Sequence, residues 1–230
     1  MPRVVKHPEV RRTELLDLAM ALFLERGYDK VSLNDLIATS GISKGAFYHY
    51  FSSKEALVDA LSERSAHQAL ESLSPVFTEV EKGALERLNA GLRAGYEVKM
   101  ALGAPESIAA MASMLRPENQ ALLRRISAIW EDKFRPVLTE VIATGVAEGV
   151  FQTFDPEGVG DMIQGFAANM GVTVQRITAA PDARARTEAI DAAVMRQRLY
   201  GIATDRILGL PDGTVEVLDR GQIEALVAAL

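Results

Sequence analysis

Apolar positions recur at helical spacing along most of the chain. Leu15, Leu18, Ala19, Leu22 and Phe23 form one stripe between residues 8 and 26. Arg26 suits the negative end of that helix, and Gly27 suits the residue just beyond it. Leu33, Leu36 and Ile37 supply the face of a short second helix, which Ser32 opens with Asp35 three residues later as a capping box. Gly41 closes it, because a left-handed backbone costs glycine little. Ser43 caps a third helix over residues 43–51, where Phe47, Tyr50 and Phe51 stand at i, i+3 and i+4 and so face the core. Ser52 and Glu55 make a further capping box and open a fourth helix to about residue 70.

The remainder keeps the same period. Ser74-Pro75 has the form of an N-cap followed by the first helical residue, and predicts a helix to about residue 102. Gly103-Ala104-Pro105 breaks it, a short helix follows near residues 106–115, and Pro117-Glu118 opens another. That one is expected to kink or split at Pro136 and to end at Gly145 and Gly149. Asp155-Pro156-Glu157 starts a helix with Val159, Met162, Ile163, Phe166, Met170 and Val174 on one side. Its other side carries Gly160, Gln164, Ala168, Gly171 and Gln175, small or neutral groups that permit close helix packing. Pro181-Asp182 separates it from a helix over 183–208, with Met195, Leu199, Ile202 and Ala203 on one face. Leu210-Pro211-Asp212-Gly213 reads as a turn, residues 214–218 as extended, and Asp219 with Gln222 as the cap of a terminal helix. The fold class this predicts is all-α.

The third helix has a second face that packing explains poorly. Gly45, Tyr48 and His49 lie opposite the apolar set, with Lys44 at the border. A short helix, a glycine turn and a second short helix form helix-turn-helix geometry, whose second helix enters the major groove of DNA. Lys44 and Lys54 sit in first turns, where a cation opposes the helix dipole and an anion would offset that cost.

Residues 10–57, and above all Gly41-Ile42-Ser43-Lys44-Gly45-Ala46-Phe47-Tyr48-His49-Tyr50-Phe51 followed by Ser53-Lys54-Glu55-Ala56-Leu57, resemble the DNA-binding domain of the TetR family of bacterial transcriptional regulators. The resemblance implies a helix-turn-helix domain over residues 1–55 and a regulatory, ligand-binding and dimerisation domain over 56–230. It implies DNA contacts from Ser32, Ser43, Lys44, Gly45, Tyr48, His49 and Lys54, with Tyr48 and Lys54 mainly on phosphates and His49 on a base edge or a phosphate. It also implies a pocket for a small apolar or amphipathic effector, for which Tyr96, Met100, Met111, Met114, Trp130, Phe134, Phe166 and Asn169 are candidate lining; the same residues at helical spacing also suit plain core. The function implied is a ligand-responsive repressor that binds a palindromic operator as a homodimer, through helices at about 155–178 and 183–208.

Charge narrows this picture. The net charge is −6, but residues 1–60 hold eight basic and eight acidic side chains, so DNA binding rests on a few placed groups and not on a broad basic field. Arg3, Lys6, Arg11 and Arg12 form a basic arm that suits either a DNA backbone or groove contact or a solvated tail. The absence of cysteine excludes disulfides and thiolate zinc sites and fits a cytoplasmic protein. No apolar leader and no run of 18 apolar residues is present, so no membrane segment is expected. The three histidines make no i, i+4 metal pair, and no nucleophile or phosphate-loop motif occurs; no enzyme activity, cofactor or metal is expected. The competing reading is a helical small-molecule-binding or protein-interaction module that has lost operator binding.

Overall fold

The computed structural model describes residues 7–79, 81–100, 113–114 and 116–229, with the side chains of 97–100 and 229 outside that description. Nine α-helices are present among the described residues: α1 Pro8–Arg26, α2 Leu33–Ser40, α3 Lys44–Tyr50, α4 Lys54–Thr78, α5 Ala84–Met100, α6 Gln120–Ala147, α7 Pro156–Thr178, α8 Ala183–Ile207 and α9 Arg220–Ala229. Short 3₁₀ turns at Tyr28–Lys30 and Pro117–Asn119 precede α2 and α6. No strand occurs among the described residues, and residues 214–218, expected to be extended, are irregular. Arg3, Lys6 and, except for residues 113–114, the helix expected near 106–115 fall outside the described residues.

The chain forms two compact units, one of Met1–Ala66 with Ala112–Trp130 and the other of His67–Met111 with Glu131–Leu230. The first therefore continues past residue 55 and gains a segment that arrives much later in the chain. Its core joins Leu15, Leu16, Ala19, Leu22 and Phe23 of α1 to Leu36, Phe47, Phe51, Leu57, Leu61 and Leu122. In the second, Leu73, Phe77, Leu88, Ile142, Phe151, Val159, Ile163 and Leu208 pack together. A smaller cluster of Ile177, Ile190, Ala193, Ile223 and Val227 seats α9 on α7 and α8.

Two expectations are corrected, at Ser74-Pro75 and at Met162. Ser74-Pro75 does not start a helix; Pro75 lies inside α4. Leu73 and Phe77, one turn apart and both buried, hold the helix together there, and burying two such side chains is worth about 3–6 kcal/mol against roughly 3 for the proline. The next helix begins instead at Ala84, whose N–H is capped from a distance by Glu148 Oε2 at 3.0 Å. Of the kink or split expected at Pro136, the split does not occur, and α6 is continuous through it. Along α7, Gly160 packs closely on Leu138 and Thr139 as a small residue can, whereas Met162, expected on the apolar stripe, is exposed.

Buried Asp205 organises the irregular segment before α9. Its carboxylate accepts the N–H groups of Gly213 (2.6 Å), Thr214 (3.3 Å) and Val215 (2.7 Å). Asn89 of α5 pairs with the same segment, donating to Thr214 O at 3.1 Å and accepting from Glu216 N at 3.0 Å. Asp219 and Gln222 exchange reciprocal bonds of 2.8 and 2.9 Å and open α9 as expected.

Candidate nucleic-acid interface

Local chemistry sets up the helix-turn-helix. Ser32 accepts from Asp35 N at 3.2 Å, while Asp35 accepts from Ser32 N at 2.8 Å and from the Ser32 hydroxyl at 2.6 Å. The bonds from the Ser32 side chain and then its backbone hold the Asp35 carboxyl below its usual range. Gly41 ends α2 at φ 68°, in the left-handed region. Ser43 Oγ accepts from Ala46 N at 3.2 Å and starts α3. At the next junction the cap is Ser53, which accepts from Ala56 N at 3.0 Å, and not Ser52. The helix therefore begins one residue later than the expected capping box, at Lys54.

The two faces of α3 separate as the spacing predicts. Phe47 is 1% exposed and Phe51 2%, with their rings 6.1 Å apart, and Tyr50 packs half-buried against the same core. Ser43, Lys44, Gly45, Tyr48 and His49 are all exposed. Tyr48 retains 43% of its surface, and the Lys44 ammonium lies 5.9 Å from its ring centre. A Cβ built on Gly45 would meet nothing within 4 Å. The protein's own packing does not require glycine there, although glycine inside a helix costs up to about 1 kcal/mol relative to alanine. The space at Gly45 opens outward. Ser32 is exposed as well.

Lys54, unlike the other residues of the expected set, is only partly exposed. Its ammonium donates to the backbone carbonyl of Tyr28 and lies 3.7 Å from the centre of that residue's ring and 5.6 Å from that of Phe23. Burial pushes its pKa down, with Asp29 and Glu55 pulling the other way. A cation held this way faces its own protein. Of the basic arm, Arg11 pairs with Glu14 at 2.9 Å and Arg12 lies over Phe51 at 5.4 Å.

The sequence reading did not single out Tyr28 or Asn119, yet they meet here. Tyr28 N donates to Asn119 Oδ1 at 2.7 Å, across 91 residues of chain. Fully buried Asn119 donates in turn to Ser113 O at 2.8 Å, and the Ser113 hydroxyl donates to Leu24 O. The only sequence signal was an asparagine in a turn, which ordinarily satisfies itself locally.

The expected effector lining is drawn from both units. Met114 packs against the core of the first unit, to which Trp130 also belongs. Tyr96, Phe134, Phe166 and Asn169 belong to the second. Phe134 packs on the second core. Asn169 is exposed and donates to Gly165 O at 2.9 Å on its own helix. The Met100 side chain and Met111 lie outside the described residues. Within the second unit, Phe166 stacks on Tyr200 at 4.3 Å and 6°, and the Tyr96 hydroxyl donates to Gln197 Oε1 at 3.4 Å. Burial first, and then Tyr200, push the Tyr96 pKa up. A recess of about 160 Å³ lies elsewhere, lined by Arg198, Gly201, Ile202, Asp212, Gly213, Val215 and Val217, none of them an expected lining residue. Helical spacing shows which face is apolar, but not which neighbour it meets.

Comparisons with known proteins agree with this geometry. Residues 15–61 match the family described as bacterial regulatory proteins, tetR family. The chain is 30% identical over 151 residues to the HTH-type transcriptional repressor KstR2 of Rhodococcus jostii, covering 62% of this chain and 69% of that one. Among solved structures, a putative TetR-family regulator from Syntrophomonas wolfei superposes with a TM-score of 0.61 at 24% identity, covering 84% of this chain and 96% of that one. RolR in complex with resorcinol superposes with a TM-score of 0.55 at 19% identity, over 96% and 93% of the two chains. An exposed recognition face on a correctly capped helix-turn-helix, with a homologous repressor matched along most of its length, leads to one conclusion: the chain belongs to the tetR family of bacterial regulatory proteins and is a DNA-binding transcriptional regulator.

Proposed function

We propose that the chain is a cytoplasmic repressor that binds a palindromic operator as a homodimer and is released by a small apolar or amphipathic effector. The observation that carries the DNA reading is the outward face of α3, where Ser43, Lys44, Gly45, Tyr48 and His49 are all exposed and none contributes to the core. Lys44 and Tyr48 hold phosphates, Ser32 and Ser43 add phosphate contacts at the two helix starts, and Gly45 permits close approach to the bases. His49 reaches a base edge or a phosphate. Phosphate contacts set affinity and register, whereas base-edge contacts set the sequence that is read. Two protomers place their α3 helices in successive major grooves, so half-sites lie one helical turn, or a multiple, apart. Selection of bound duplexes from fragmented genomic DNA tests this: a palindromic sequence should be enriched, with affinity falling steeply as salt rises. Enrichment of no sequence at any salt concentration would sink the reading.

Dimerisation through α7 and α8 is supported by large apolar side chains of these helices that are exposed among the described residues. Val172 is 54% exposed, Met195 63% and Leu199 62%, with Met162 exposed on the same pair of helices. Neighbouring exposed apolar side chains of this size mark an interface. Replacing Met195 and Leu199 together by glutamate is expected to give a monomer in sedimentation with undiminished helicity and much weakened operator binding. A variant that stays dimeric would place the interface elsewhere.

Effector control is supported by the fold shared with the resorcinol-bound RolR and by two buried polar groups of the second unit. Thr139 Oγ1 and Gln164 Nε2 have no hydrogen-bond partner among the described residues. A buried polar atom left in this way is costly, and a polar group on a bound effector would satisfy it. The effector acts by favouring a conformation whose two α3 helices no longer match the groove spacing. Control of transcription needs no catalytic group.

A further inference from the structure

The Tyr28 peptide is gripped from both ends. Its N–H is taken by Asn119, which stands just before α6, and its carbonyl by Lys54, the first residue of α4. The Lys54 ammonium also faces the Tyr28 ring, and that ring meets Phe23 of α1 edge-on at 5.2 Å. The segment carrying Asn119 is docked closely on the same corner. Gly27 has φ 91°, and a Cβ there would come within 2.7 Å of Glu118 Cβ, so the backbones approach closely only because residue 27 is glycine. Lys30 and Glu118 close the contact at 3.2 Å. One corner between α1 and α2 is thereby tied to the start of α4, directly after α3, and to a segment about 90 residues further along the chain.

Such an arrangement leaves Lys54 little to offer a phosphate. Rotating the ammonium outward would abandon a cation–π contact and a charge-assisted bond to the Tyr28 carbonyl, which would keep only the longer bond from Val31 N at 3.3 Å. Lys44, by comparison, makes no ion pair among the described residues and stands exposed on the DNA face. From this geometry we infer that Lys54 and Asn119 are positioning residues for operator reading: by holding the two ends of the Tyr28 peptide they set the orientation of α3, and Lys54 does not bind phosphate. The inference rests on the DNA reading above.

The test uses the full-length protein, a 30-base-pair duplex selected by the wild type from a random library, and a scrambled duplex of equal length. Affinity for both is measured by fluorescence anisotropy across a salt series for the wild type and for K44A, K54Q, K54R and N119A. A phosphate ligand removed from each protomer lowers the slope of log affinity against log salt by about 0.9 per contact, or roughly 2 per dimer. K44A should show that loss. K54Q and N119A should keep the wild-type slope and lose affinity for the selected duplex by about tenfold or more, with affinity for the scrambled duplex unchanged. K54R should retain the preference, since a guanidinium still donates to the Tyr28 carbonyl and covers its ring. General destabilisation would lower both affinities together by the folded fraction, and that outcome, or a slope reduced by about 2 in K54Q, overturns the inference. Failure of the wild type to select any duplex would instead remove the DNA reading itself. Should K54Q fail to fold, N119A with amide exchange at Tyr28 decides: an unprotected Tyr28 N–H with wild-type discrimination between the duplexes also overturns it.

Discussion

Alanine at Lys44 and Tyr48 together should abolish operator binding while helicity, dimer mass and thermal midpoint stay at wild-type values. Both side chains are exposed on α3, and neither contributes to the core of its unit. Removing them leaves no cavity and no orphaned buried group, so surface substitution there is expected to change stability by less than about 0.5 kcal/mol. On DNA the effect is multiplied by symmetry. Two lost contacts in each protomer, at about 1 kcal/mol apiece, amount to roughly 4 kcal/mol, a loss of about a thousandfold. Anisotropy with a selected duplex reads the affinity, and circular dichroism reads the fold. Unfolding of this variant would show that the two faces of α3 had been exchanged.

Phe47→Ala, one residue from Tyr48, should give the opposite result. Phe47 is among the largest fully buried side chains and sits with Leu36, Phe51 and Leu57 in the core of the first unit. Truncating such a ring costs about 3–5 kcal/mol through lost burial and the cavity left behind. Against a domain stability of about 5–15 kcal/mol, that is enough to melt a small unit early. Calorimetry should show the transition of this unit moved down, and operator binding lost through unfolding, with Phe47→Leu costing less. A cost under about 1 kcal/mol would mean that the ring is not the anchor of α3. The pair of results separates the surface that reads DNA from the surface that holds the reader in place.

Most of the DNA-binding region was legible in the sequence because its signals are short-range. The Ser32–Asp35 box, the left-handed Gly41, the Ser43 cap and the i, i+3, i+4 aromatic set each involve residues within five positions of one another. The same local reasoning placed the starts of α7 and α8 at Asp155-Pro156 and Asp182. It failed where a distant partner decided the outcome. A serine-proline pair that has every local mark of a helix start lies inside α4, because Leu73 and Phe77 are buried on both sides of it. The start of α5 is capped by Glu148, which no local rule points to. The Lys54 ammonium turns to the Tyr28 carbonyl, a partner 26 residues away that no local rule points to. Asn169 and Phe166 share a helix, but only Phe166 turns inward, to stack on Tyr200.

By itself, then, the sequence determined an all-helical chain and a helix-turn-helix whose second helix turns one face to the core and leaves a polar face exposed. Periodicity and caps depend on contacts no more than four residues apart, and such contacts are written in adjacent letters. The tertiary structure alone decided where Lys54 points, what Asn119 holds, and which apolar side chains of α7 and α8 remain uncovered. Those outcomes depend on groups brought together across tens of residues, where the free energy of packing and of satisfying buried hydrogen bonds outweighs any local preference.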